Sequence, residues 1–189
     1  MDLDSGKIIC KAKSLTTRED LSIGIRGSIA GFDADLLKQV GVVSMSSTLA
    51  TNYVVEGKGC RVGLVCIGSE YNNSVRADFD TVIGGGHDLH GEELNPLDED
   101  AARRFLESLK GKVDGVAITG YLAVRNPSHE KRVKEIAKEI LDVPIVCGHE
   151  LSSGLGFNER TATCVMNAKL IPVIDDLIRS VKAVLSEKG

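Results

Sequence analysis

The 189-residue chain is 42% hydrophobic and 26% charged, enough apolar material to bury one full core, and a single soluble domain over residues 1–189 is expected. Lys and Arg total 23 against 27 Asp and Glu, a net charge of -4, and aromatic residues make up 4% with no Trp, which speaks against nucleic acid or an anionic membrane as the main partner. No apolar run nears the ~20 residues of a spanning helix, and MDLDSGK lacks the order of a signal peptide, so the expected setting is the cytoplasm.

In chain order, residues 7–13 follow the turn residues Asp4, Ser5 and Gly6 and read as one arm of a hairpin. Thr17 and Asp20 resemble a capping box, and Leu21, Ile25, Ile29 and Phe32 recur at helical spacing. Val40, Val42 and Val43 predict a strand ending at Ser44. The polar string Ser46, Ser47, Thr48 then opens a helix carrying Leu49, Tyr53 and Val54, stopped by Gly57 and Gly59. A helix N-terminus behind hydroxyl residues suits a phosphate, a carboxylate or a carbonyl oxygen, although the same hydroxyls could serve only as caps.

Residues 61–67 are apolar at nearly every position, as in a strand covered on both faces. Residues 79–83 can form a short strand running into Gly84, Gly85 and Gly86. Asp98, Glu99 and Asp100 precede a stripe of Ala102, Phe105, Leu106 and Leu109, which predicts a helix. A strand follows over 113–119. Asn126 and Pro127 start a helix whose stripe is Val133, Ile136, Ala137 and Ile140, and another strand follows over 143–147. From Asn158 onward the chain is helical, with Pro172 expected to kink or interrupt it. This alternation predicts an α/β fold: a mixed, largely parallel sheet with flanking helices.

Three strings in order, SSTLATNYVVEGKGCRVGLVCIG, NPSHEKR and ERTATCVMNA, make the chain similar to the N-terminal region of the hydantoinase/oxoprolinase family. Ala50, Thr51 and Asn52 match the first core. Asn126, Pro127, His129, Glu130 and Arg132 match the second, and Glu159, Arg160, Thr161, Thr163, Asn167 and Ala168 the third. The resemblance implies part of an actin-like, ribonuclease-H-like ATPase domain and ATP-dependent hydrolysis of a cyclic amide such as 5-oxoproline or a hydantoin. It also implies ATP and Mg as cofactors of the parent enzyme, with the remaining ATPase domain and a hydantoinase B-type subunit as partners. A homo-oligomer is compatible with the same reading. The family's Asp-x-Gly-Gly-Thr phosphate loop has no counterpart here, so the expectation is a domain lacking its first strand, a piece of a longer enzyme and inactive alone. The binding candidates are then Ser46, Ser47, Thr48 and Asn52, with Glu159, Arg160 and Thr161 expected to face the same cleft. No general base is assigned.

Three other readings stand beside this one. Cys66 and Cys147 each end a Val-rich strand, as the acid–base pair of a two-cysteine racemase would, although the five cysteines lack C-x-x-C spacing and read as buried free thiols. A binding or assembly module without catalysis is the second. The third is metal binding by His87, Asp88, His90, Glu92 and Glu93, whose glycine-flanked loop is poorly organised for ligation, so no metal is expected there. His149 and Glu150 follow a strand end and are compatible with a ligand site or with a turn bearing a solvated histidine. Lys131, Arg132, Lys134 and Lys138, interleaved with glutamates, read as a solvated helix face.

Overall fold

The structure is a computed structural model and describes residues 2, 5–15, 21–44, 46, 48–56, 59–72 and 75–187. The chain divides into two compact units, residues 1–48 with 174–189, and residues 49–173.

The second unit holds the sheet. Its strands are β1 (Val62–Ile67), β2 (Phe79–Ile83), β3 (Gly115–Gly120) and β4 (Ile145–Cys147), in the order β2-β1-β3-β4. Every pairing is parallel, and the one isolated antiparallel bridge, His87 with Glu93, lies outside the strands. Alternate residues serve opposite faces. Val65 and Ile67 of β1, Val116 and Ile118 of β3 and Cys147 of β4 form a core with Ala102, Leu106, Val133, Ile136 and Ala137. Val62, Leu64, Cys66, Ala117 and Val146 pack with Cys164, Val165 and Ala168. A parallel strand between two helical layers has no solvent face, which is why 62–67 reads as an unbroken apolar run.

The first unit carries α1 (Leu21–Ile29) and α2 (Ala34–Leu37), and the helices that cover the sheet follow them along the chain. A short α3 (Leu49–Val55) begins the second unit. On one face lie α4 (Glu99–Ser108), capped by the Asp98 carboxylate on the Ala101 N–H, and α5 (Ser128–Ile140). Leu109, just past α4, needs a glycine beneath it: a Cβ at Gly63 would lie 2.4 Å from its Cδ1. After β4 comes α6 (Gly148–Leu151), and the other face is covered by the first half of α7 (Phe157–Ser186). The latter is one helix through Pro172, so of the expected kink or interruption the interruption does not occur. Proline removes the donor that the Ala168 carbonyl would use, and one residue on the Lys169 carbonyl accepts the Cys60 N–H at 3.2 Å.

The first unit contains α1 (Leu21–Ile29), α2 (Ala34–Leu37), capped by Asp33, and the end of α7. Arg26 and Glu187 join α1 to that end with two hydrogen bonds, of 3.1 and 2.5 Å. Two strand expectations fail here. Residues 7–13 and 40–44 are irregular, with Ile8, Ile9, Val40, Val42 and Val43 more than half exposed. The capping box at Thr17 and Asp20, and the helix stop at Gly57, lie outside the described residues.

Candidate functional site

All four strands end in glycine or run into it: Gly68 after β1, Gly84 to Gly86 after β2, Gly120 at the end of β3 and Gly148 after β4. At Gly68 the backbone is left-handed (φ 78°), and a Cβ there would sit 2.5 Å from the Gly85 carbonyl oxygen. The loops are therefore drawn together at the carboxyl edge, where parallel α/β sheets place their ligands. The non-glycine Leu122 also takes a left-handed conformation at this edge (φ 52°).

The first turn of α5 supplies the polar groups. Glu130 is fully buried, and its carboxylate accepts the Gly120 N–H at 2.7 Å, the His149 N–H at 3.0 Å and a bond with His149 Nδ1 at 2.5 Å. Its neighbour His129 faces the β2 loop, with Nδ1 accepting the Gly86 N–H at 3.1 Å and Nε2 2.9 Å from Glu93. Ser128 reaches His87 Nε2 at 3.1 Å, and the His87 and His129 rings lie 4.3 Å apart. Burial, with the charge of His129 in addition, lowers the pKa of His87.

From the other face Arg160 enters the same edge. Its guanidinium is buried and donates to the carbonyls of Gly120 (2.8 Å) and Gly154 (2.8 Å). Desolvation pulls its pKa down, and the charge of Glu130 opposes that. Its Nε is the one buried side-chain nitrogen or oxygen without a partner among the described residues. Thr161 donates its hydroxyl to the Phe157 carbonyl (2.8 Å), and its oxygen lies 3.0 Å from Thr119 Oγ1.

Of the residues singled out from sequence, Arg160 and Thr161 thus belong to this edge, their polar groups bonded to the chain itself except for Arg160 Nε, while Glu159 is exposed on α7. Ser46 and Thr48 are exposed residues of the first unit, Asn52 is exposed on α3, and Ser47 lies outside the described residues. Glu130 and His149 matter more than the sequence reading allowed. His149 is not the solvated turn residue considered above: its side chain is 14% exposed and paired. Nor is the α5 cation row simply solvated, since Arg132 pairs with Glu99 at 2.8 Å and Lys134 with Glu150 at 2.7 Å. Burial works to raise the Glu150 pKa, and Lys134 overrides it, leaving a net lowering.

The cysteines are all free thiols, but Cys10 is exposed and Cys60 half-buried, which corrects the reading of five buried ones. Burial pushes Cys66 up to about 11 and Cys147 up to about 12, the wrong direction for the thiolate of a two-cysteine racemase. Among the described residues, Glu130, Cys147 and His149 are grouped as possible ligands within 4.8 Å of one another. An ion bound to Glu130 and His149 with bonds near 2.0–2.2 Å in tetrahedral geometry would hold their donor atoms roughly 3.3 Å apart. At 2.5 Å these two atoms are hydrogen-bonded to one another.

The chain thus has a parallel α/β layer with a buried polar cluster at its carboxyl edge, the edge at which α/β sheets place ligands. The model of the hydantoinase/oxoprolinase N-terminal region matches residues 2–141, and the chain belongs to that family. It is 29% identical to the caprolactamase subunit alpha of Pseudomonas jessenii, over 94% of this chain and 30% of that protein. It is 30% identical to the acetophenone carboxylase gamma subunit of Aromatoleum aromaticum, over 84% and 28%. The chain therefore spans about three tenths of the length of these curated relatives. The crystal structure of ATP-dependent caprolactamase from Pseudomonas jessenii superposes with a TM-score of 0.79 at 26% identity, covering all of this chain and 32% of that one. Nucleotide-free acetone carboxylase shares the fold, with a TM-score of 0.76 at 19% identity over 94% and 31%.

Proposed function

We propose that this chain is the N-terminal region of an ATP-dependent enzyme that hydrolyses a cyclic amide, such as a lactam, 5-oxoproline or a hydantoin. The observation that carries the reading is the family match over residues 2–141, joined by similarity across 94% of the chain to a subunit named for caprolactam. The buried Glu130 and His149 pair at the carboxyl edge adds a group able to move a proton where the fold places ligands.

The described residues do not themselves fit a nucleotide. The Gly84 to Gly86 turn is closed: a Cβ at Gly85 would meet Ile67 at 2.7 Å and His129 at 3.1 Å, and the Gly86 N–H is already donated to His129. The Arg160 Nη1 and Nη2 groups and the Thr161 hydroxyl are engaged by groups of the chain, which leaves the buried Arg160 Nε unpartnered among the described residues. On this proposal ATP and Mg are handled with the rest of the parent enzyme, and a hydantoinase B-type subunit completes the assembly. Ser46, Ser47, Thr48 and Asn52 remain the proposed contacts for a substrate or phosphate oxygen. Among the described residues no helix is long and apolar enough to cross a membrane, and we place the enzyme in the cytoplasm.

The test is a ring-opening assay with ATP and magnesium on lactams, 5-oxoproline and hydantoins. It is run on this chain alone and on the chain completed by the remaining ATPase domain and the second subunit. Ring opening with matched ADP release only in the completed assembly is expected. Turnover by the chain alone would refute the division of labour, and a completed assembly that leaves every cyclic amide intact would refute the reading.

A further inference from the structure

The Glu130 carboxylate accepts two backbone N–H groups, from Gly120 at 2.7 Å and His149 at 3.0 Å, donors that nothing can deprotonate at working pH, and His149 Nδ1 lies 2.5 Å from it. As an ionised carboxylate it only accepts, so in the bond to His149 the proton sits on Nδ1 and the ring's lone pair on Nε2. No described hydrogen bond engages Nε2. The imidazole is 14% exposed where its carboxylate partner is 0%, so one nitrogen is anchored inside and the other is left for a ligand at the β4 end. His129 is the opposite case. Its Nδ1 accepts the Gly86 N–H, its Nε2 carries the proton toward Glu93, and both nitrogens are consumed.

We propose that His149 is the base of this carboxyl edge, taking and returning a proton at Nε2, and that Glu130 is the positioning residue that sets its tautomer and ring plane. The proposal rests on the ring-opening reading and names the group that would serve it. In the parent enzyme ATP would phosphorylate the amide oxygen, releasing ADP. Nε2 takes a proton from water as the water oxygen bonds to that activated carbon and the C=N π pair moves onto the ring nitrogen. The proton is returned to the ring nitrogen as the C–N bond breaks, leaving an acyl phosphate that a second water converts to carboxylate and phosphate. The products are the ring-opened acid, phosphate and ADP, with no net change at the histidine. Gly148, between the two residues and β3, keeps the geometry tight: a Cβ there would lie 3.0 Å from Thr119 Cγ2 and 3.3 Å from Glu130 Oε1.

Nitrogen-15 NMR of the whole chain tests the dyad directly, since only four imidazoles contribute. His149 is expected protonated on Nδ1 and His129 on Nε2, and diethyl pyrocarbonate should modify His149 faster than His87 or His129. Glu130→Gln should erase the Nδ1 preference; if that variant does not fold, the wild-type spectrum and a His149→Gln variant carry the test. In a completed assembly that opens rings, His149→Gln should lower kcat by about 10²–10⁴-fold with KM little changed, and Glu130→Asp should lower it less. His149 protonated on Nε2, an unreactive His149, retained turnover in His149→Gln, or a cobalt–thiolate band showing a metal on Cys147 would each overturn the proposal. Failure of the wild-type assembly to open any ring defeats the ring-opening reading and the substrate named here. The tautomer result is read independently of it.

Discussion

Replacing Cys147 by alanine should reverse its effect on stability as pH rises. At neutral pH the variant loses a buried sulfur from the core between β4 and α5, a cost of about 1 kcal/mol for so small a side chain. The wild-type thiol is pushed from an ordinary 9.0 to about 12, first by burial and then by the charges of Glu130 and Glu150. A folded pKa raised above the unfolded one leaves stability intact below pH 9, and that stability drains away as pH rises through the window from 9 to about 12. At pH 10.5 the unfolded thiol is mostly ionised and the folded one is not, which costs wild type about 2 kcal/mol that alanine never pays. The variant should therefore be about 1 kcal/mol less stable at pH 7 and about 1 kcal/mol more stable at pH 10.5. Urea midpoints of both proteins under reductant, from pH 7 to 10.5, measure the difference, in which the other titrating groups cancel. A difference that stays constant across that range would mean that Cys147 ionises as easily folded as unfolded, and the burial argument would fail.

Thiol labelling of the native protein should mark Cys10 first and reach Cys66, Cys147 and Cys164 only on the timescale of unfolding; rapid labelling of Cys147 would contradict its burial. Gly68→Ala should cost about 2–3 kcal/mol in urea unfolding, because a left-handed backbone disfavours a side chain and the new Cβ would press on the Gly85 carbonyl. A neutral result would show the loops to be freer than their 2.5 Å approach implies. Glu130→Ala should destabilise by about 3–5 kcal/mol, since it strands two backbone N–H groups and removes the countercharge near buried Arg160. A loss under 1 kcal/mol would show that water replaces the carboxylate and that the cluster is open.

The strands legible in the sequence are those whose two faces are both covered. Residues 62–67 and 115–120 are buried at every position because α4 and α5 lie on one side and α7 on the other. Val40, Val42 and Val43 carry the same β-branched propensity, yet a strand is a property of a pair, and no paired strand includes them. The charged helix α5 concealed its most consequential residue. By charge alone Glu130 reads with the glutamates interleaved among Lys131, Arg132, Lys134 and Lys138 as a solvated face, but the apolar stripe at Val133 and Ala137 places position 130 inward, three and seven residues back. Continuing the 3.6-residue period toward the helix start exposes the buried carboxylate. His149 carried no such signal, because a tetrapeptide turn has no period and its partner is 19 residues away.

The same period explains why the cluster sits at this end of the sheet and not deeper in the core. A fully buried carboxylate and a fully buried guanidinium are tolerated only where fixed dipoles meet them, and the strand end supplies both signs from a single residue. Gly120 donates its N–H to Glu130 on α5 and offers its carbonyl to Arg160 on α7. The end of β3 is thus gripped from both faces of the sheet by opposite charges. Glycine is required there because a Cβ would lie 3.1 Å from Ala123 and 3.4 Å from the Glu130 side chain. Any shift of α5 along the sheet must move Gly120 and His149 together, since one carboxylate holds both. The imidazole is therefore set by the packing of a helix whose apolar stripe is buried against the central strands, and not by the short turn that carries it. That is the arrangement a proton-transfer group needs, an exposed atom whose orientation is fixed by the core.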